Sequence, residues 1–275
     1  GNEAEWTLTI PNPKYWSPDS PHLYQVSIRV DDSDEQTTRF GMREFTIRDG
    51  QFQLNGKPLY LKATFFEGLY PTRVAYPDSR EMAAREIQLA KDAGFNMIRP
   101  WRRPPAPMWL DLADEMGVLV VGSPAIECMR SPLPTPYLPS RVEREIRETV
   151  VRDRNRACVV QWELFNEVLR PMLKQMIRPM ALMTQELDPT RLILDESGGW
   201  AFGARMYLPN EYQPTRFNDI HSYPGPFIND RLFDSLLSIG LTKEEQKAKG
   251  FTGKAPGRNV VPGLMSFVSE LGYGS

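Results

Sequence analysis

The chain has 275 residues, with 41% hydrophobic and 25% charged side chains, enough apolar mass for a packed core and too little polarity for a disordered chain. A net charge of −2 provides no electrostatic footprint for nucleic acid or for an anionic membrane surface. No apolar run approaches the ~18 residues of a spanning helix, and Cys128 and Cys158 are too few for a disulfide framework.

Residues 1–48 read as strand and turn. Trp6 to Ile10 alternates, Pro11, Pro13, Pro18 and Pro21 punctuate a loop, and His22 to Val30 alternates with period two. Asp31 to Asp34 is a polar turn from which Thr37 to Phe45 returns, so this stretch is expected to be the closing strands of a β-sandwich. Gly50 to Pro58 is a turn-rich joint with a hairpin signal at Asn55-Gly56.

From residue 49 the rhythm becomes strand, helix, strand, helix. Leu59 to Thr64 is the first predicted strand. A helix follows, capped by Asp78 with Glu81 three residues on and closed by Gly94. Asn96 to Arg99 is the second strand. Trp109, Leu112, Ala113 and Met116 then mark a helix ending at Gly117, and Val118 to Val121 is the third strand. Ser140 and Glu143 are expected to cap the next helix. Val159 to Glu167 is the fourth strand, and Met172, Leu173, Met176, Ile177, Met180 and Met183 line the helix after it as core filler. Arg191 to Asp195 and Asn218 to His221 are strands five and six. Residues 228–250 read as a mostly helical excursion, and a seventh strand runs into Glu270.

Alternating βα units imply a parallel sheet covered on both faces. Glu167 and Glu270 are 270 − 167 = 103 residues apart, three units of roughly 34, against about 31 per unit in a ~250-residue (β/α)8 barrel. The expected fold is therefore α/β: a (β/α)8 TIM barrel over 49–275 that stops before its last strand, preceded by the end of an immunoglobulin-like β-sandwich over 1–48. A doubly wound open sheet is the alternative, but no glycine-rich first turn announces one. The chain begins without Met and stops shortly after Glu270, so an excerpt of a longer, partly incomplete protein is expected.

Two apolar runs end in glutamate. Ala157 to Phe165 leads into Asn166-Glu167, and Gly263 to Ser269 leads into Glu270. A carboxylate at such a place is costly to bury without a role or a partner. At the C-terminal face of a barrel the two glutamates, with Arg99, Asn166 and His221, share the face where active sites sit. Two carboxylates across a sugar-sized gap cleave glycosidic bonds, one as proton donor and the other as nucleophile or base. The two histidines are 199 positions apart and no Cys/His cluster has ligand spacing, so neither a metal nor a cofactor is expected. No Gly-x-Ser-x-Gly nucleophile turn and no phosphate loop is present.

These residues resemble glycoside hydrolase family 2, which contains β-galactosidases, β-glucuronidases and β-mannosidases. Trp16-Ser17-Pro18 with Pro21-His22-Leu23-Tyr24 and Phe40-Gly41-Met42-Arg43-Glu44 are similar to the end of its immunoglobulin-like domain. Phe52 to Pro58 resembles the lead-in to its barrel, and Gly94 to Arg99 with Asp114 to Gly117 its second βα unit. Arg152 to Arg156, Val159 to Trp162 and Asn166-Glu167 resemble its acid/base signature, and Ser269-Glu270-Leu271-Gly272 its nucleophile segment.

The resemblance implies a retaining, exo-acting β-glycosidase whose partner is a β-glycoside or oligosaccharide. It implies Glu167 as acid/base, Glu270 as nucleophile, Asn166 on the sugar's 2-hydroxyl and Arg99 keeping Glu270 charged. His221 and Tyr223 would line the pocket, and Trp200 would stack on a sugar or pack in the core. Where the family has His-Tyr-Pro this chain has Trp101-Arg102-Arg103-Pro104, and Gly122 to Glu127 stands where an acidic pair is frequent. Arg102 and Arg103 would grip a uronate carboxylate or sulfate, or else face solvent or pair with barrel acids. A carbohydrate-binding protein on the same scaffold and a transglycosidase are the alternatives. Sugar, oligomeric state and compartment stay open.

Overall fold

A computed structural model describes residues 5–30, 34–101, 103–124, 126, 135–198, 205–207, 215–216, 218–223, 225, 227–251, 262–263 and 265–272. Two strands, β1 (Tyr24–Val30) and β2 (Asp34–Phe40), pair antiparallel; residues 31–33 of the expected polar turn lie outside the described residues. A second antiparallel sheet, β3 (Phe45–Arg48), β4 (Gln51–Leu54) and β5 (Lys57–Pro58), buries Phe45, Phe52 and Leu54. Trp6 to Ile10 forms no strand, and Trp6 and Leu8 are exposed: alternation produces a strand only where a neighbour completes the hydrogen bonds.

Five parallel strands follow in sequence order: β6 (Ala63–Phe66), β7 (Met97–Pro100), β8 (Leu119–Gly122), β9 (Val159–Asn166) and β10 (Leu192–Ser197). The helices between them are α1 (Arg80–Asp92), α2 (Pro107–Met116), α3 (Leu138–Asp153) and α4 (Pro171–Leu187). β7 to β10 are buried throughout, as parallel strands covered on both faces must be. After β10 the rhythm breaks. Two short strands, β11 (Arg205–Tyr207) and β12 (Thr215–Arg216), add antiparallel to its edge. β13 (Asn218–Ser222) and β14 (Ser266–Leu271) then pair in parallel, separated by α5 (Asp230–Leu237) and α6 (Lys243–Ala248).

The helix starts differ from expectation for local reasons. Ser79, not Asp78, caps α1 by accepting from Met82 N, because the Asp78 carboxylate is taken by the Thr72 hydroxyl. α3 begins at Leu138, ahead of Ser140; Pro139 occupies its first turn, and the Ser140 hydroxyl donates back to Tyr137 O. On α4 the buried side is Leu173, Ile177, Met180 and Ala181, whereas Met172 is exposed.

The N-terminal segment is joined to the floor of the barrel. Trp16 is fully buried, and its indole N–H donates to Asp114 O at 2.9 Å. Arg43 donates to Ala157 O at 2.9 Å and Val159 O at 2.5 Å, capping the start of β9. A Cβ on Gly41 would lie 2.6 Å from Ala157 Cβ and 2.9 Å from Trp16 Cβ, so only glycine allows this approach. Phe52 stacks on Phe45 and meets Phe267 of β14 edge-on, closing the floor below the seventh barrel strand. Among the described residues no helix is long and apolar enough to cross a membrane.

Candidate active site

The polar cluster at the C-terminal strand ends is built around Arg99, the third residue of β7. Its side chain is 4% exposed and is surrounded by acceptors. Nε and Nη2 fork onto Glu163 at 2.8 and 2.5 Å, and Nη1 donates to Glu270 Oε1 at 2.7 Å. Nη2 also reaches Asn166 Oδ1 at 3.2 Å and Ser197 Oγ at 3.3 Å. The fork geometry is what guanidinium supplies and an ammonium does not. Burial pulls the guanidinium down, but the carboxylates of Glu163 and Glu270 outweigh it and hold it above its ordinary value.

Ser197, at the end of β10, donates to Glu163 Oε1 at 2.9 Å and Asn166 Oδ1 at 2.6 Å. Register explains the meeting, since Ser197 lies opposite Asn166 on the neighbouring strand. β9 stops at Asn166, and Glu167 turns off it with φ 47°, a left-handed backbone that costs a side-chain-bearing residue roughly 1–2 kcal/mol. That turn aims the Glu167 carboxylate across the barrel mouth.

His221 on β13 receives it. Nδ1 lies 2.6 Å from Glu167 Oε1 and 3.6 Å from Glu270 Oε2, and the buried Nε2 meets no hydrogen-bond partner among the described residues. Burial lowers the imidazole's pKa, but the Glu167 hydrogen bond and the charges of Asp219 and Glu270 outweigh it, leaving it raised. The Tyr223 hydroxyl donates to Glu270 Oε2; burial and that bond push the phenol well up.

Asp219 sits two residues before His221 on the same strand. Its Oδ2 accepts from Gly198 N at 2.8 Å and Ser269 Oγ at 3.0 Å, tying together β10, β13 and β14. Burial pushes its carboxyl up to about 6.

The structure thus brings together Arg99, Asn166, Glu167, His221, Tyr223 and Glu270 from four strand ends. Arg102, Trp200 and Glu127 lie outside the described residues. Arg103 is spent on bracing a loop: its Nη2 donates to Glu67 O at 3.3 Å and Val74 O at 3.1 Å. Sequence reading missed Ser197 and Asp219. For Asp219 the signal was present, because residues two apart on a strand share a face and its neighbour was already the pocket histidine.

One ligand atom from each of Glu167, His221 and Glu270 lies within 4.8 Å of the others. Such a triangle is spaced to hold a divalent cation, but the Arg99 charge 2.7 Å from Glu270 opposes one. The same spacing suits chemistry on a carbon held between two carboxylates. One is braced by hydrogen bonds from Arg99 and Tyr223, and the other is within proton-transfer reach of an imidazole.

Residues 45–217 match the family model "Glycosyl hydrolases family 2, TIM barrel domain", and residues 1–43 match "Glycosyl hydrolases family 2". A putative β-glucuronidase of Formosa agariphila is 32% identical over 202 residues, covering 70% of this chain and 19% of that protein. A β-galactosidase of Lactococcus lactis is 33% identical over 179 residues, 61% of this chain and 17% of that protein. The chain thus spans about a fifth of the length of the curated relatives it matches. Among solved structures, Parabacteroides merdae β-glucuronidase superimposes with a TM-score of 0.60 at 27% identity, covering 67% of this chain and 24% of that one. The Eisenbergiella tayi family 2 β-galacturonidase bound to galacturonate reaches a TM-score of 0.71 over 96% of this chain and 45% of that one. At 22% identity this is a likeness of fold alone.

Proposed function

The chain belongs to glycoside hydrolase family 2, and from that membership we propose that the protein is a retaining β-glycosidase with Glu167 as acid/base and Glu270 as nucleophile. The observation that carries this reading is the carboxylate pair. Oxygens of Glu167 and Glu270 lie within 4.8 Å, on the short side of the division between direct attack (~5–5.5 Å) and attack by an interposed water (~6.5–9.5 Å). In the first step Glu270 attacks the anomeric carbon, the bond to the leaving oxygen breaks, and Glu167 protonates that oxygen. In the second, water attacks the same carbon, its proton passes to Glu167, and the bond to Glu270 breaks.

Arg99 keeps Glu270 aimed through its Nη1 hydrogen bond. Asn166, fixed by Arg99 and Ser197 through its Oδ1, holds the sugar's 2-hydroxyl in this reading. His221 holds the Glu167 carboxyl at the leaving-group side. Residues 1–48 belong, in this reading, to the closing strands of the immunoglobulin-like domain and 49–275 to the catalytic barrel. No cofactor takes part.

The test is intact mass of the full-length protein after incubation with 2-deoxy-2-fluoro-β-glycosides carrying good leaving groups. The panel covers galactosides, glucuronides, galacturonides and mannosides, because relatives bear the first three names and the family contains the fourth activity. The expected result is one stable adduct on the peptide holding Glu270, absent in Glu270→Gln. Folded protein that stays unlabelled by every sugar would turn the reading toward a carbohydrate-binding protein. Labelling followed by transfer to an added sugar rather than to water would identify a transglycosidase.

A further inference from the structure

Glu167 holds an unfavourable backbone conformation, with φ 47°. β9 has already ended at Asn166, so Glu167 has left the strand ladder. Its own N–H donates to Ser197 O at 3.1 Å. The next amide, Val168 N, points into a region where water has no access, since Val168 is fully buried. It is met there by a side chain: Glu196 Oε1 accepts from Val168 N at 3.1 Å. Glu196 is itself 1% exposed, and its own N–H is held by Asp195 Oδ1 at 2.8 Å, so the carboxylate is delivered from a rigid strand.

Of the five non-glycine residues with left-handed backbone among the described residues, three are Asn or Asp, which tolerate it. Glu167 lacks that local help. A buried amide left without an acceptor is costly, so removing Glu196 gives the turn a strong reason to relax toward another conformation, carrying the Glu167 carboxylate with it. A carboxylate accepting from that amide does the reverse and makes the left-handed turn the lowest state.

We propose that Glu196 is a positioning residue for the proton donor. By holding Val168 N it locks the left-handed turn that places the Glu167 carboxyl beside His221 and the leaving-group oxygen. This rests on the reading of Glu167 as the acid/base. In this proposal Glu196 acts through Val168 N, its effect transmitted through two backbone bonds.

The test uses full-length Glu196→Gln and Glu196→Ala with two β-glycosides of the sugar that labels the wild type. One carries a 2,4-dinitrophenyl leaving group, which needs no proton; the other a phenyl or alkyl group, which does. In Glu196→Ala, kcat/KM for the unactivated substrate is expected to fall about 100-fold, within the range that general acid assistance supplies. The activated substrate is expected to lose less than about fivefold in its first step, with azide speeding its turnover and appearing as glycosyl azide. Glu196→Gln keeps an accepting oxygen and should return both substrates to within about fivefold of wild type.

Equal losses on both substrates, or no loss, would overturn the proposal, because a merely structural role does not discriminate between leaving groups. A crystal structure of Glu196→Ala gives a readout independent of turnover. φ at residue 167 is expected to leave the left-handed region, and an unchanged φ would also overturn it. If the wild type cleaves neither glycoside, the reading of Glu167 as acid/base fails by itself, and φ in the variant still decides whether Glu196 fixes the turn. Should the alanine variant not fold, Glu196→Asp, one methylene too short to reach Val168 N, takes its place.

Discussion

Replacing Arg99 by Met removes the charge at the centre of the site and keeps most of the volume. Glu163 would then remain a carboxyl side chain with 3% exposure that has lost its guanidinium fork and keeps the Ser197 hydroxyl 2.9 Å away. Removing one member of a buried ion pair costs about 3–5 kcal/mol, because the other charge is left unpaired. Glu163→Met is milder, about 1–3 kcal/mol, since Arg99 still has Glu270 at 2.7 Å. In the double variant both ions of the fork are gone, and an apolar pair of similar volume takes their place. The double loss is therefore expected to fall short of the sum by at least ~2 kcal/mol. Urea unfolding followed by tryptophan fluorescence measures all four corners of the cycle. Losses that add to within ~0.5 kcal/mol would refute the idea that Arg99 and Glu163 are one buried unit. Turnover provides a second axis. Both variants lacking Arg99 should be nearly inactive, because Glu270 loses its guanidinium, whereas Glu163→Met alone should retain measurable activity.

Tyr223→Phe removes one hydrogen bond to Glu270 from a side chain that is 45% exposed. It should lower kcat by about 10- to 30-fold with stability unchanged to ~0.5 kcal/mol, and a loss under twofold would remove Tyr223 from the nucleophile's support. Asp219 carries a carboxyl pushed up to about 6 from 3.8, so its contribution to stability is fully present below pH 3.8 and lost as pH rises through 6. The loss amounts to about 3 kcal/mol, at 1.36 kcal/mol per unit. Asp219→Asn still accepts from Gly198 N and Ser269 Oγ but does not ionise, so its thermal stability should gain on the wild type between pH 4 and 7; parallel profiles would contradict the buried-acid account. Trp16→Ala should destabilise the barrel by about 3–5 kcal/mol in denaturant unfolding; a cost below 1 kcal/mol would mean that Trp16 is no part of the barrel's core.

How much was legible varied with how local the cause was. The seven predicted barrel strands all lie within a few residues of β6 to β10, β13 and β14, because buried β-branched runs between amphipathic helices leave few alternatives. Glu167 and Glu270 stood out because a carboxylate ending an apolar run contradicts its surroundings. What stayed hidden depended on neighbours distant in sequence. Asp78 has a cap residue's chemistry but lost the position to Ser79 once Thr72 folded onto it. Only the three-dimensional path shows Glu163 sharing a guanidinium with Glu270. The strands β11 and β12 carry no period strong enough to separate them from loop, since each has two or three residues.

The seating of Trp16 under the barrel has a consequence for recombination. A chimaera that joins one relative's sandwich to another's barrel is most naturally cut where the sequence changes rhythm, near residue 49. That cut would separate Trp16 and Arg43 from the Asp114 and Ala157 carbonyls they bind, and Gly41 from the Ala157 methyl that forbids a side chain there. Viable crossovers therefore fall on the far side of residue 14, or else transfer both partners together. Homologous exchange in this part of the chain is governed by one indole and one missing methyl group.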